Sequence, residues 1–349
     1  MGSLGLAVRR SVSADAAGVE VSVGHGLLDE YLRFVAGRCR PNTVLAVAYD
    51  LKVFFDVVAV EPDAVTIDDV FSFIAEQRRP RLGEGVVRIE DGEAGLSSRT
   101  IRRRITSIAG LFDYLVVRDD VAVSTNPVPR RLATRGRGTR RDLRGVPLIR
   151  TPRTLPRILS PDEVVRFGRA LRTNRDRSMI DAMLLGGLRR SEVLGLRLED
   201  LNAGQRRLFI AEGKGGHQRI VPISDRFFKT VAVYLNDERP TDLATDRVFV
   251  VLKRPRRGRP LSAAGLDEIV RGAKTRAGID RLTCHQLRHT CFTRLREAGM
   301  PIEALQAQAG HRSIDSTKVY LHLSNDWLAG EYLRAAEAIE AEAILNELA

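Results

Sequence analysis

The stretch from His285 to Tyr320, HQLRHTCFTRLREAGMPIEALQAQAGHRSIDSTKVY, gathers side chains that can do chemistry. It holds His285, Arg288, His289, His311 and Tyr320, with three of the six histidines of the chain. Two upstream residues join them. Arg189 follows Gly186-Gly187-Leu188 in an otherwise apolar run, where a charge calls for a reason. Lys214 sits among glycines in EGKGGH, a hairpin tip from which an ammonium can swing into a neighbouring site. Singly each is weak, since a lone Arg is commonly a surface residue and a lone His a satisfied polar group. Two chemistries compete for the stretch. The spacing of His285 and His289 is that of an H-E-x-x-H zinc site. However, Gln286 replaces the Glu, Arg288 would put a cation beside the metal, and one helix cannot also aim Cys284 and Cys291 at the same ion. The alternative is phosphate chemistry, for which two guanidinium forks are suited.

Composition favours the second. The chain has 349 residues, enough for two domains, and 56 Lys and Arg against 44 Asp and Glu give a formal charge of +12. That excess points to a polyanion, nucleic acid before a membrane surface. Cys39, Cys284 and Cys291 make no disulfide framework, so a reducing cytoplasm is expected. Neither a signal peptide nor an apolar run of membrane-spanning length is evident.

These residues need elements to position them. Residues 1–25 read as a flexible arm. Helices are expected from Gly26, from Pro41 with Asn42 or Thr43 as cap, from a Thr66/Asp69 capping box, and from Ser97 or Ser98. Together they make a helical domain over 26–127. Its fourth helix carries Arg99, Arg102, Arg103 and Arg104 near its start, with no acidic neighbour in sequence. The run therefore reads as a phosphate-contacting face. Pro129 to Arg157 carries ten Arg and one Asp. This basic linker, 128–158, includes Arg137, Arg140 and Arg141 and is suited to lie along a DNA backbone. A second domain, 159–323, opens at Ser160-Pro161-Asp162-Glu163. It should contain a short helix with Arg189 and Glu192, a hairpin from Leu208 to Ile223, an apolar strand at Val248–Val251, and a helix from Ser262.

Four motifs in order resemble the tyrosine recombinase (phage-type integrase and Xer-like) family. They are GLRRSEVLGL, GKGGHQRIVPI, HQLRHTCFTRLREAG and AGHRSIDSTKVYLH, and the resemblance runs from about residue 26 to 340. It implies a mostly α (α+β) protein, with a helical, SAM-like core-binding domain and a mixed α/β catalytic domain holding a small antiparallel sheet. It implies a site-specific DNA recombinase that cuts and rejoins strands through a 3′-phosphotyrosyl intermediate without cofactor or metal. By the same resemblance Tyr320 is the nucleophile, Arg189 and Arg288 hold the phosphate, Lys214 protonates the leaving 5′-oxygen, His285 assists proton transfer at the tyrosine, and His311 donates to a non-bridging oxygen. Glu192 would orient Arg189 or a histidine.

The implied partners are double-stranded DNA with a specific site and further copies of the chain, a dimer per site and a tetramer on two sites, with accessory or directionality proteins. Residues 324–349 carry six acids against Arg334 and are expected to form a helix that docks in cis or on a neighbouring protomer. The basic linker and the insert at 80–95 favour integration, excision or transposition of a mobile element. A chromosome-dimer-resolving Xer-type role is the alternative, and a non-catalytic DNA-binding regulator on the same scaffold a more remote one. The protein is expected in the cytoplasm, on the nucleoid when bound to DNA.

Overall fold

The computed structural model describes residues 4–12, 19–80, 95–129, 148–150, 157–211 and 218–310. The chain divides into two compact units between Arg153 and Thr154, inside the stretch read as a linker.

The first unit is built on four helices: α1 (Gly26–Ala36), α2 (Pro41–Val58), α3 (Ile67–Arg78) and α4 (Ser98–Val116). Each turns one apolar stripe inward. The clearest is Ile101, Ile105, Ile108, Leu111, Phe112 and Leu115 of α4, which meets Leu28 and Leu32 of α1 and Leu51, Phe54 and Phe55 of α2 in one core. Phe54 packs edge-on against Phe55 and Phe73, at 5.0 and 5.1 Å between ring centroids. The Thr66/Asp69 capping box starts α3, and Ser97 caps α4 through the Thr100 N–H. The start of α2 differs from expectation. Pro41 is its first residue and Arg40 precedes it without a side-chain cap. The fixed φ of proline and its missing N–H make a cap by Asn42 or Thr43 unnecessary there.

The stretch read as a flexible arm is the larger correction. Arg9–Val12 (β1) and Val19–Ser22 (β2) pair antiparallel, with Arg10 opposite Val21. Leu6, Val21 and Val23 are buried in the helical core. Asp29 of α1 accepts from the Val23 N–H at 2.6 Å and the Gly24 N–H at 3.2 Å, tying the strand exit to the helix start.

The second unit opens with α5 (Pro161–Arg169), whose Ser160/Glu163 capping box is present as read. It continues through α6 (Asn174–Leu185) and the single-turn α7 (Arg190–Gly195). A three-stranded antiparallel sheet follows, β3 (Leu201–Asn202), β4 (Arg207–Ile210) and β5 (Arg219–Pro222), in the order β3-β4-β5. Leu208 faces Val221, and Ile210 faces Arg219 as the last pair before the hairpin tip. Four further helices follow among the described residues: α8 (Asp225–Val233), α9 (Ala263–Arg276), α10 (Cys284–Glu297) and α11 (Ile302–Ala309). Met179, Ile180 and Met183 of α6 centre a core shared with Phe227 of α8, Val221 of β5 and Leu287 of α10.

Val248–Val250 is buried and Val251 half-buried, but the run is no ladder strand, since an isolated bridge is all that joins Val250 to Pro260. Its backbone is satisfied piecemeal: the Val248 N–H donates to Leu196, and Phe249 accepts from the Leu261 N–H. An apolar run of four signals burial, which a loop crossing the core also requires.

The turn before Arg189 needs glycine. Gly187 has φ of +66°, and a Cβ there would lie 2.5 Å from Cζ of the fully buried Phe292. Gly187→Ala is expected to cost about 2–4 kcal/mol from left-handed strain plus overpacking. Denaturant unfolding checks this, and a loss under about 0.5 kcal/mol would contradict it.

Candidate active site

Glu192 is the hub around which the site forms. It is the third residue of α7 and accepts the backbone N–H of Arg189 at 2.8 Å, closing the first turn of a helix that Arg189 precedes. Its side chain is fully buried and meets three guanidiniums. Arg189 Nη1 donates to Oε1 at 2.7 Å. Arg219 of β5 donates from Nη1 and Nη2 to Oε1 and Oε2, both at 2.9 Å. Arg288 Nη1 lies 3.9 Å from Oε2. Burial alone would raise the carboxyl pKa. The Arg219 hydrogen bonds and charge, then the Arg189 N–H and charge, override it and bring the value from 4.5 to about 2.

A depressed carboxylate pKa gives stability that is present above the unfolded value and lost as pH falls toward the folded one. Wild type is therefore expected to exceed Glu192→Gln in stability at neutral pH by on the order of 3 kcal/mol. The gap should close as pH drops from 4.5 toward about 2. Thermal melts of the two proteins across that range test it, and a gap independent of pH would contradict it.

Arg288 sits one turn after His285 on α10 and is 3% exposed. It donates from Nη1 to the Gly187 carbonyl and from Nη2 to the Ala309 carbonyl at 2.7 Å, and its guanidinium lies 4.7 Å from the Phe292 ring centroid. Arg189 Nη2 reaches toward the Gly310 carbonyl at 3.5 Å. Arg189, Glu192 and Arg288 thus converge at the C-terminal end of α11.

His285 is exposed beside them, and its Nε2 lies 2.8 Å from Nε2 of His289 with the rings edge to face. One of the two nitrogens carries the shared proton and the other accepts it. Among the described residues, no three His, Cys, Asp or Glu side chains gather as metal ligands would. Burial pushes the Cys291 thiol up to about 12. Burial and then Asp267 push Cys284 to about 11. Neither cysteine is a ready thiolate.

Lys214, His311 and Tyr320 lie outside the described residues, as do Arg137, Arg140, Arg141 and the tail from 324. What is described are their attachment points. The Ile210–Arg219 pair is the base of the hairpin carrying Lys214, and Gly310, against Arg189 and Arg219, directly precedes His311.

Two further features were missed from sequence. Arg219 looked like one more basic residue in a hairpin strand; its place just after the Lys214 turn was the available signal. The other is the loop Lys253-Arg254-Pro255-Arg256-Arg257-Gly258-Arg259, whose five basic side chains are exposed and in no ion pair with a described residue.

In the first unit the Arg run has an acidic partner after all. Asp50 of α2 is 1% exposed, accepts from Arg103 at 2.6 Å and from Ser107 at 2.9 Å, and lies 3.9 Å from Arg104. Burial nevertheless raises its pKa. The partner stands 53 residues earlier, beyond the reach of any local pattern. Arg99 and Arg102 are exposed and Arg103 keeps half its side-chain surface.

Residues 157–326 match the model of the phage integrase family. The chain is similar to the tyrosine recombinases. It is 29% identical to tyrosine recombinase XerD of Staphylococcus aureus over 319 residues, 88% of this chain and 97% of that protein. Among solved structures, the chain resembles the XerH site-specific recombinase bound to palindromic difH substrate, a post-cleavage complex, with a TM-score of 0.64 and 18% identity over 87% of this chain and 83% of that one. It also resembles the Tn1549 transposon integrase (residues 82–397, Y379F) with transposon right end DNA, with a TM-score of 0.62 and 20% identity over 89% and 100% of the two chains. At those identities the structures establish a shared fold.

Proposed function

We propose that the protein cuts and rejoins DNA at a specific site by transferring a phosphodiester to Tyr320 and back. The observation that carries this reading is the convergence of Arg189 and Arg288 on one buried carboxylate, with His285 one turn from Arg288 and the chain running on to His311 and Tyr320. Two guanidinium forks suit the non-bridging oxygens of one phosphate, whose negative charge grows as the phosphorus becomes five-coordinate. Tyr320 Oη attacks phosphorus, giving its proton toward His285, while the P–O5′ bond breaks and Lys214 protonates the departing oxygen. One phosphodiester is exchanged for another, so the bond energy is kept. A 5′-hydroxyl of a second strand then reverses the step. Arg99, Arg102 and Arg103, the linker residues Arg137, Arg140 and Arg141, and the 253–259 loop supply phosphate contacts that position the duplex.

The protomers work as a pair on each site and as a tetramer on two, with residues 324–349 docking on a neighbour. An apolar pocket of about 480 Å³, lined by Leu184, Leu185, Ile223, Leu295 and Met300 among others, is a fitting receiver for the apolar side of that tail. Integration, excision or transposition remains the favoured setting. The Xer-type role gains from the near full-length match to XerD.

The test is a nicked suicide duplex, selected from DNA trapped on the protein, whose cleaved 5′ fragment diffuses away. Wild type should form a denaturant-stable adduct mapped by mass spectrometry to the peptide bearing Tyr320. Native gels with two sites should show a four-protomer complex. No adduct on any selected duplex would overturn the proposed chemistry, and only monomeric complexes would overturn the assembly.

A further inference from the structure

Glu192 poses a problem that the proposed chemistry does not answer. A carboxylate within 2.7 Å of Arg189 competes with the substrate phosphate for that guanidinium. Were Arg189 its only partner, the pair would be neutral and the fork occupied. The structure shows a different arrangement. Arg219 holds both oxygens of Glu192 through two parallel bonds at 2.9 Å, the geometry in which a guanidinium and a carboxylate satisfy one another best. Arg189 keeps a single side-chain bond to Oε1. The charges then count three guanidiniums, Arg189, Arg219 and Arg288, against one carboxylate, leaving two positive charges for an incoming phosphate.

Arg219 also reaches the other side of the site. Its Nε donates to the Gln308 carbonyl at 3.2 Å, and its side chain packs so closely on Gly310 that a Cβ there would lie 3.1 Å from Cδ. Gln308 in turn spans from α11 to the Gly186 and Pro222 carbonyls at 3.1 and 3.0 Å. The end of α11, where the chain continues to His311, is thus pinned to β5 and to the turn before Arg189. With only 11% of its side chain exposed, Arg219 is an internal strut and no DNA-contacting residue.

We propose that Arg219 is a positioning residue of the cleavage site: it takes both oxygens of Glu192 so that the Arg189 fork stays open to the scissile phosphate, and it holds the end of α11 that precedes His311. This rests on reading Arg189 as a phosphate ligand. Without Arg219, Glu192 draws Arg189 into a closed bidentate pair, and cleavage falls although DNA binding persists.

Single-turnover cleavage of the suicide duplex at saturating protein tests this. Arg219→Gln is expected to slow adduct formation ~10²-fold while mobility-shift affinity changes by less than about threefold. Arg219→Lys keeps the charge without the fork and should fall in between. The deciding comparison is Arg219→Gln combined with Glu192→Gln. With the competing charge gone, the second substitution should remove most of the loss, leaving the double variant within about fivefold of Glu192→Gln alone. Equal losses from Arg219→Gln with and without Glu192 would overturn the proposal, as would wild-type rates in Arg219→Gln. Should Arg219→Gln fail to fold, Arg219→Lys and the double variant make the same comparison. If wild type forms no adduct, the recombinase reading itself fails, and that outcome is distinct from any pattern among the variants.

Discussion

Tyr320→Phe is expected to abolish the covalent protein–DNA adduct altogether while leaving DNA affinity within about threefold of wild type. The change removes one oxygen and leaves the ring, so binding surfaces are kept and only the nucleophile is lost. Free tyrosine has a pKa near 10, so the phenol needs help to lose its proton, and a site with an excess of two guanidiniums favours the phenolate as it approaches. Other candidate nucleophiles are poorly placed. Cys291 is buried with its thiol held near 12, and Cys284 is held near 11 beside Asp267. The measurement is denaturing electrophoresis of protein incubated with labelled nicked duplex, paired with a mobility shift. An adduct that persists in the Phe variant would remove Tyr320 from its assigned role, and mass mapping would say which side chain had taken it.

The helical unit and the capped helix starts were legible because their signals are local. Thr66 with Asp69 and Ser160 with Glu163 are three residues apart, and the stripe from Ile101 to Leu115 repeats at helical spacing. What escaped lies in pairings between distant segments. Asp50 neutralises part of the Arg run from 53 positions away, so a cluster that looked unpaired is half internal. Arg219 and Glu192 are 27 positions apart, and nothing in either local sequence announces the other. The β1–β2 hairpin is a different case. Val19, Val21 and Val23 do alternate, but over a span so short, in a stretch rich in small residues, that the alternation gave way to a reading of disorder. For the site, chemistry was legible in residue type and order, whereas the electrostatic arrangement that keeps Arg189 available required coordinates.

Arg288→Ala is expected to lower cleavage at saturating DNA by ~10³-fold or more and to destabilise the second unit as well. The two effects have separate origins. The guanidinium satisfies the Gly187 and Ala309 carbonyls in a site only 3% exposed, so truncation leaves both acceptors buried without it and opens a void against Phe292. Each orphaned acceptor costs about 1–3 kcal/mol. Loss of activity in the Ala variant therefore mixes chemistry with folding, and Arg288→Lys separates them. Lysine keeps the positive charge near Glu192 and fills much of the volume, but its ammonium is a compact point donor and cannot bridge two carbonyls while also presenting a planar edge to phosphate. It should melt closer to wild type than the Ala variant does, bind the duplex normally, and still cleave ~10²-fold more slowly. If Arg288→Lys cleaved at the wild-type rate, charge alone would suffice. The fork geometry assigned to Arg288 would then be wrong, whatever the Ala variant did.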